Sequence, residues 1–160
     1  MKENNGKVDT TCGYHIHISR KDMTRTHLIR FCLFFAMNKE LVETIARRPT
    51  DSYYAILTDY NKHTSLYTYS TVNKSKYVCV NLQHEDTIEV RCFRGTYNSI
   101  NFHSALEFVH SVYMFTKSQA SVAMCHNKKH LLSDYMCYLQ NDKRYKTLYK
   151  NIVYNCSDLL

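Results

Sequence analysis

The sequence predicts an α+β fold, with an antiparallel sheet packed on two long helices and a helical C-terminus. Three observations carry that prediction. Residues 13–19, GYHIHIS, alternate apolar and polar side chains at the period of a strand. Residues 77–94 hold two strand-like runs, YVCVNL and TIEVRCFR, separated by the polar segment QHED. Apolar residues recur near helical spacing on either side of that pair.

In chain order, the first strand presents Tyr14, Ile16 and Ile18 to one side and His15, His17 and Ser19 to the other. Thr24 or Thr26 is placed to cap a helix over roughly 26–47, whose apolar positions are Leu28, Phe31, Cys32, Phe35, Leu41 and Ile45. Pro49 ends it, because the residue before a proline is pushed out of the helical region. Residues 50–75 are polar and tyrosine-rich and read as a loop or lid. Tyr77–Leu82 and Thr87–Arg94 then form an antiparallel hairpin around a turn at Gln83–Asp86. Asn98 or Asn101 caps a second long helix to about residue 117, with Ala105, Leu106, Val109, Val112, Tyr113 and Phe115 as its apolar side. Asn127-Lys128-Lys129 interrupts the pattern, and shorter helices follow near 130–140 and 142–154. Glycine is rare and proline occurs once, so nothing marks a linker, and residues 1–160 read as a single domain.

Composition narrows the class. A chain of 160 residues with 44% hydrophobic side chains can bury a core, which excludes a disordered polar chain. No run approaches the length of a membrane span, and the polar start Met1–Lys7 has no apolar core of a secretion signal. Seven cysteines are scattered without a C-x-x-C pair, which argues against a zinc knuckle and for small core residues in a reducing compartment. The expected location is therefore cytoplasmic, without a membrane partner. A formal charge of +7 and fourteen tyrosines suit a polyanionic partner, since phosphates pair with cations and bases stack on rings. The same balance also describes an ordinary solvated basic face.

The chemistry-bearing residues lie on the two strands. His15 and His17 are two apart and share a face, as do Glu89, Arg91 and Phe93, with Arg94 at the strand end. With apolar residues behind both sets, the polar faces are expected to meet across a cleft. An imidazole and a carboxylate can ligate Mg²⁺ or Mn²⁺, which places a metal at His15 and Glu89. Arg91 or Arg94 can hold a phosphoryl group, and a second histidine can touch phosphate or move a proton near neutral pH. The candidate catalytic set is thus His15, His17, Glu89, Arg91 and Arg94. Each fragment has a plainer reading: H-x-H is a common polar strand face, and E-x-R a common ion pair. A weaker nucleic-acid surface is suggested by Lys128, Lys129, Lys143, Arg144, Lys146 and Lys150, interleaved with Tyr145, Tyr149 and Tyr154. An amphipathic terminal helix with a solvated face is the plainer reading of the latter residues.

Gly13-Tyr14-His15-Ile16-His17 resembles the G-x-H-x-H strand of glutamine synthetases and amidoligases, and Thr87-Ile88-Glu89-Val90-Arg91 resembles their I-E-x-R strand. The wider run Tyr77–Thr96, with Val80-Asn81-Leu82 before the motif and Phe93-Arg94-Gly95-Thr96 after it, is similar to the phage and plasmid amidoligases, as is the helix containing Ala105-Leu106-Glu107-Phe108-Val109. The likeness covers about residues 12–117 and leaves 118–160 as a helical extension. It implies part of a glutamine-synthetase-like fold. It also implies that His15 and Glu89 bind one metal, that His17 approaches nucleotide phosphates, and that Arg91 stabilises a phosphorylated intermediate formed with ATP. The family's earlier E-x-E strand has no counterpart before Cys12, where Glu3 stands alone. The expected function is therefore a shortened, repurposed member that binds or cleaves a polyanion such as RNA. The family's association with mobile elements suggests a counter-defence role against a CRISPR-type ribonucleoprotein. The alternatives are an ATP- and Mg²⁺-dependent carboxylate–amine ligase completed by a homodimer or partner chain, and a binding module without catalysis. A further alternative, a two-histidine phosphoesterase, pairs His17-Ile18-Ser19 with His63-Thr64-Ser65.

Overall fold

A computed structural model describes residues 11–49, 77–118 and 128–155. The expected lid over 50–75 and the His63 motif lie outside the described residues. Within them the fold is α+β, a three-stranded antiparallel sheet covered on one face by helices.

The strands are β1 (Gly13–Ser19), β2 (Val80–Asn81) and β3 (Thr87–Arg94), in the order β1-β3-β2. The strand carrying Glu89 and Arg91 is therefore central. In β1, Tyr14, Ile16 and Ile18 pack on the core while His15, His17 and Ser19 are exposed. The first hairpin strand is shorter than expected, since only Val80–Asn81 pair as a strand. Because β1 and β3 are hydrogen-bonded neighbours, their polar sides form one continuous face. This corrects the expectation of two faces meeting across a cleft.

The pairing of β1 with β3 slips once. Tyr14 opposes Phe93 and Ile16 opposes Val90, so His15 faces two residues, Arg91 and Cys92. This β-bulge inverts the alternation beyond it. Phe93, expected beside Glu89 and Arg91, is instead 1% exposed in the core, its ring stacked on Tyr14 at 5.4 Å. Arg94 takes the position opposite Gly13.

The first long helix is two. Helix α1 (Arg25–Met37) is capped by Thr24, whose Oγ1 accepts the His27 N–H at 3.1 Å. Helix α2 (Lys39–Ala46) starts after Asn38, which leaves helical geometry at φ −111° and ψ 44°. The Asn38 side-chain amide donates to the Phe34 carbonyl at 2.8 Å, so a side chain competes for an acceptor inside the helix. Ridge positions from both segments still enter the core, as Phe31, Phe34, Phe35, Leu41 and Ile45. Arg47 ends α2 in the left-handed region at φ 54°, two residues before Pro49.

Helix α3 (Ser99–Ser118) begins where expected, Asn98 Oδ1 accepting from Asn101 N at 3.1 Å. Ala105, Val109, Val112 and Phe115 are inside as expected, joined by Ser104, Phe108 and Ser111, whereas Leu106 is exposed. Helices α4 (Lys128–Asn141) and α5 (Lys146–Asn155), joined by a 3₁₀ turn at Lys143–Tyr145, follow among the described residues. They share the main core. Tyr135 of α4 lies 4.7 Å from the Phe34 ring and hydrogen-bonds Ser111 at 2.6 Å. On α5, Leu148 N–H donates to Glu107 at 2.7 Å and the Asn151 amide to Ser104 at 3.0 Å. Cys32, Cys79 and Cys92 are buried core residues as expected, whereas Cys137 is exposed. No described helix is long and apolar enough to cross a membrane.

Candidate functional site

Glu89 is the hub of the polar face. It is 5% exposed, on the central strand, with β1 on one side and β2 on the other. A carboxylate this enclosed is stable only if its oxygens are taken up by donors. His15 Nδ1 lies 2.7 Å from Oε1, and the Asn81 amide donates to Oε2 at 2.9 Å. Arg91 donates from one terminal nitrogen to both oxygens at 3.3 Å. His17 Nε2 stands 3.8 Å from Oε1, close enough for electrostatic attraction but beyond a hydrogen bond. Register explains the set: His17 opposes Glu89 on β1, Asn81 opposes it on β2, and the bulge brings Arg91 opposite His15.

Burial pushes the Glu89 carboxyl up, but the Asn81 hydrogen bond and the Arg91 and His15 charges outweigh it and hold the group below the ordinary carboxylate value. Glu89 is thus an anion that only accepts, so the 2.7 Å contact requires the proton on His15 Nδ1. Burial, and then the Arg91 charge, lower the pKa of His15 despite the opposing pull of Glu89. A neutral His15 with its proton on Nδ1 carries its lone pair on Nε2. This is the arrangement in which a buried carboxylate fixes the tautomer of a histidine base.

Arg91 is 14% exposed and lies 5.8 Å from the Tyr77 ring. Its Nε is buried without a hydrogen-bond partner among the described residues. His17 is half exposed, and the His84 ring lies 6.3 Å from it on the turn between β2 and β3.

Four of the five expected site residues, His15, His17, Glu89 and Arg91, come together. Arg94 does not reach Glu89: it sits opposite Gly13 at the other end of the strand. The reading of the residues missed Asn81, although it lies in the Val80-Asn81-Leu82 run; an amide inside a strand facing an acidic residue was the available signal. For Mg²⁺ or Mn²⁺, the fit is poor in this arrangement. Both Glu89 oxygens already accept from Arg91, and His15 offers Glu89 a proton. Among the described residues no group of three or more His, Cys, Asp or Glu side chains is arranged to hold a metal ion.

The basic C-terminal residues divide. Arg144 is tied to Asp142 by a 2.6 Å ion pair. Lys143 lies in the 3₁₀ turn, and Lys128 and Lys129 open α4, their side chains being outside the described set. Lys146 and Lys150 line a groove of about 570 Å³ between α5 and the start of α3, together with Ile100, Thr147 and Tyr154. No family model, curated protein or solved structure matches the chain.

Proposed function

We propose that the protein acts on RNA, with the polar sheet face as a metal-independent acid–base site for phosphodiester cleavage. The observation that carries this reading is the buried Glu89 holding His15 by Nδ1 at 2.7 Å, with Arg91 on the same carboxylate. His15 Nε2 takes the proton of a ribose 2′-hydroxyl, and the oxygen attacks the adjacent phosphorus. Arg91 stabilises the charge that builds on the phosphoryl oxygens. The 5′-oxygen leaves with a proton from the protonated form of His17, giving a 2′,3′-cyclic phosphate and a free 5′-hydroxyl. Positions two apart on a strand are separated by about 6.5–7 Å, enough to place one imidazole on either side of a phosphate. The basic protein charge and the Lys146–Lys150 groove support a polyanionic substrate.

The test is incubation of the full chain with labelled single-stranded RNA in the presence of a chelator. Wild type should yield cyclic-phosphate ends. His15→Ala and His17→Ala should each slow cleavage by about 100-fold or more. Equal inertness of wild type and His17→Ala, in both binding and cleavage, overturns the proposal. The groove favours a second reading, RNA binding without cleavage. In that case site variants leave binding intact while Lys146→Glu with Lys150→Glu abolishes it.

A further inference from the structure

The opposite end of the sheet brings together arginines from two parts of the chain, the consecutive Arg47 and Arg48 after α2 and Arg94 at the end of β3. Arg48, just after α2, is 8% exposed, and its NH2 group donates to the Cys12 carbonyl at 2.8 Å. Its guanidinium lies against Gly13. A β-carbon there would stand 3.3 and 3.4 Å from the two terminal nitrogens and 3.1 Å from the Phe93 carbonyl oxygen, so the close approach depends on glycine. Arg94 is the register partner of that glycine. Arg47 reaches the Arg94 carbonyl from its NH2 group at 3.4 Å.

Two features mark this group as more than a solvated surface. Among the described residues none of the three forms an ion pair, whereas Arg91 is matched by Glu89 and Arg144 by Asp142. Gathering guanidinium groups without an anion costs Coulomb energy, and more where one is buried. Burial and the neighbouring Arg94 both lower the pKa of Arg47, against the opposing effect of Tyr14. Arg47 also keeps a side chain at φ 54°, where glycine is the default residue after a helix. A left-handed arginine costs about 1 kcal/mol or more, which a glycine would avoid.

We infer that Arg47, Arg48 and Arg94 form an oxyanion subsite that holds the RNA phosphate next to the one engaged at His15. Gly13 and His15 are two apart on the same face, so the subsite borders the reaction site. An exposed ring follows closely in the chain, Tyr97 being 73% exposed. It offers a stacking surface for a base flanking a bound phosphate. The arginines by themselves recognise a phosphate oxyanion; its assignment to RNA rests on the reading of His15 given above.

The experiment compares kcat/KM for a dinucleoside monophosphate with that for a trinucleoside diphosphate, which adds one phosphate. Wild type should favour the longer substrate by about tenfold, the scale of one charged hydrogen-bonded contact. Arg48→Gln and Arg94→Gln should erase that preference, and Arg48→Lys should restore it only in part, since it returns the charge without the fork. Circular dichroism establishes that each variant is folded. Thermal stabilisation by millimolar inorganic phosphate is measured in parallel and should weaken in Arg48→Gln. A preference unchanged in the arginine variants overturns the subsite while leaving the His15 chemistry standing. If wild type cleaves neither substrate, phosphate stabilisation that disappears in Arg48→Gln retains an oxyanion site for free phosphate and removes the RNA assignment. Absence of that stabilisation as well overturns the subsite altogether.

Discussion

At the residue scale the polar face depends on one carboxylate with three close donors. Removing it strands Asn81, Arg91 and His15 together, so Glu89→Ala should destabilise the fold by about 3 kcal/mol, read from urea unfolding. Glu89→Gln should keep more stability but lose activity, because a neutral amide no longer stabilises the imidazolium that forms when His15 takes a proton. The pH dependence has a definite sign. His15 and His27 are both held low chiefly by burial, and Glu89 is held low by its donors. In each case the unfolded chain binds protons more readily than the folded one. Their contribution is therefore complete above about pH 6.5, declines as the histidines of the unfolded chain are protonated, and falls again below about pH 4.3 as Glu89 titrates. The urea midpoint should be lower at about pH 5.5 than at about pH 7.5; a higher midpoint at the acid value contradicts the assignment. His15, His17, Glu89 and Arg91 are legible in the sequence because strand period alone sorts them onto one side. Asn81 and Arg94 are less so: one needs the register of β2, the other the bulge.

At the element scale, strand β3 matches its expected bounds, as do the cap of α1 at Thr24 and the start of α3 at Asn98. These are short-range features, written in neighbouring residues. The break at Asn38 is less readable because apolar spacing continues through it, while the competing bond is made by a single amide. The wider buried face of α3 has a tertiary cause. Ser104 and Ser111 are drawn inside by partners on α5 and α4, Asn151 and Tyr135, and Leu106 is turned outward. Thr24→Ala should cost about 1 kcal/mol with an unchanged denaturant slope, since it removes one cap and no core contact.

At the scale of the whole molecule, the C-terminal helices are part of the main core. Leu148 and Ile152 are fully buried, and Glu107 and Ser104 on α3 bind α5 directly. Ile152→Ala should therefore cost about 2–4 kcal/mol and lower the single thermal transition of the whole chain, not melt the tail alone. Net charge belongs to this scale too. RNA affinity should fall with salt, and Lys146→Gln with Lys150→Gln should flatten the logarithmic slope by about 1.4 if both lysines contact phosphate. The basic composition suits a polyanionic partner as well as a solvated surface, and it does not say which cations are free. Arg144 is occupied by Asp142, and that pairing is visible only in three dimensions.

The bulge opposite His15 leaves β3 one residue longer than its pairing needs. Read without Cys92, the strand becomes Thr-Ile-Glu-Val-Arg-Phe-Arg, in which every second residue is apolar. A deletion inside a central strand ordinarily inverts everything beyond it. Here, loss of Cys92 would leave Phe93 inward and Arg94 outward, as they already are. The middle of the sheet is thus a place where the chain could lose one residue and keep its polar face in phase.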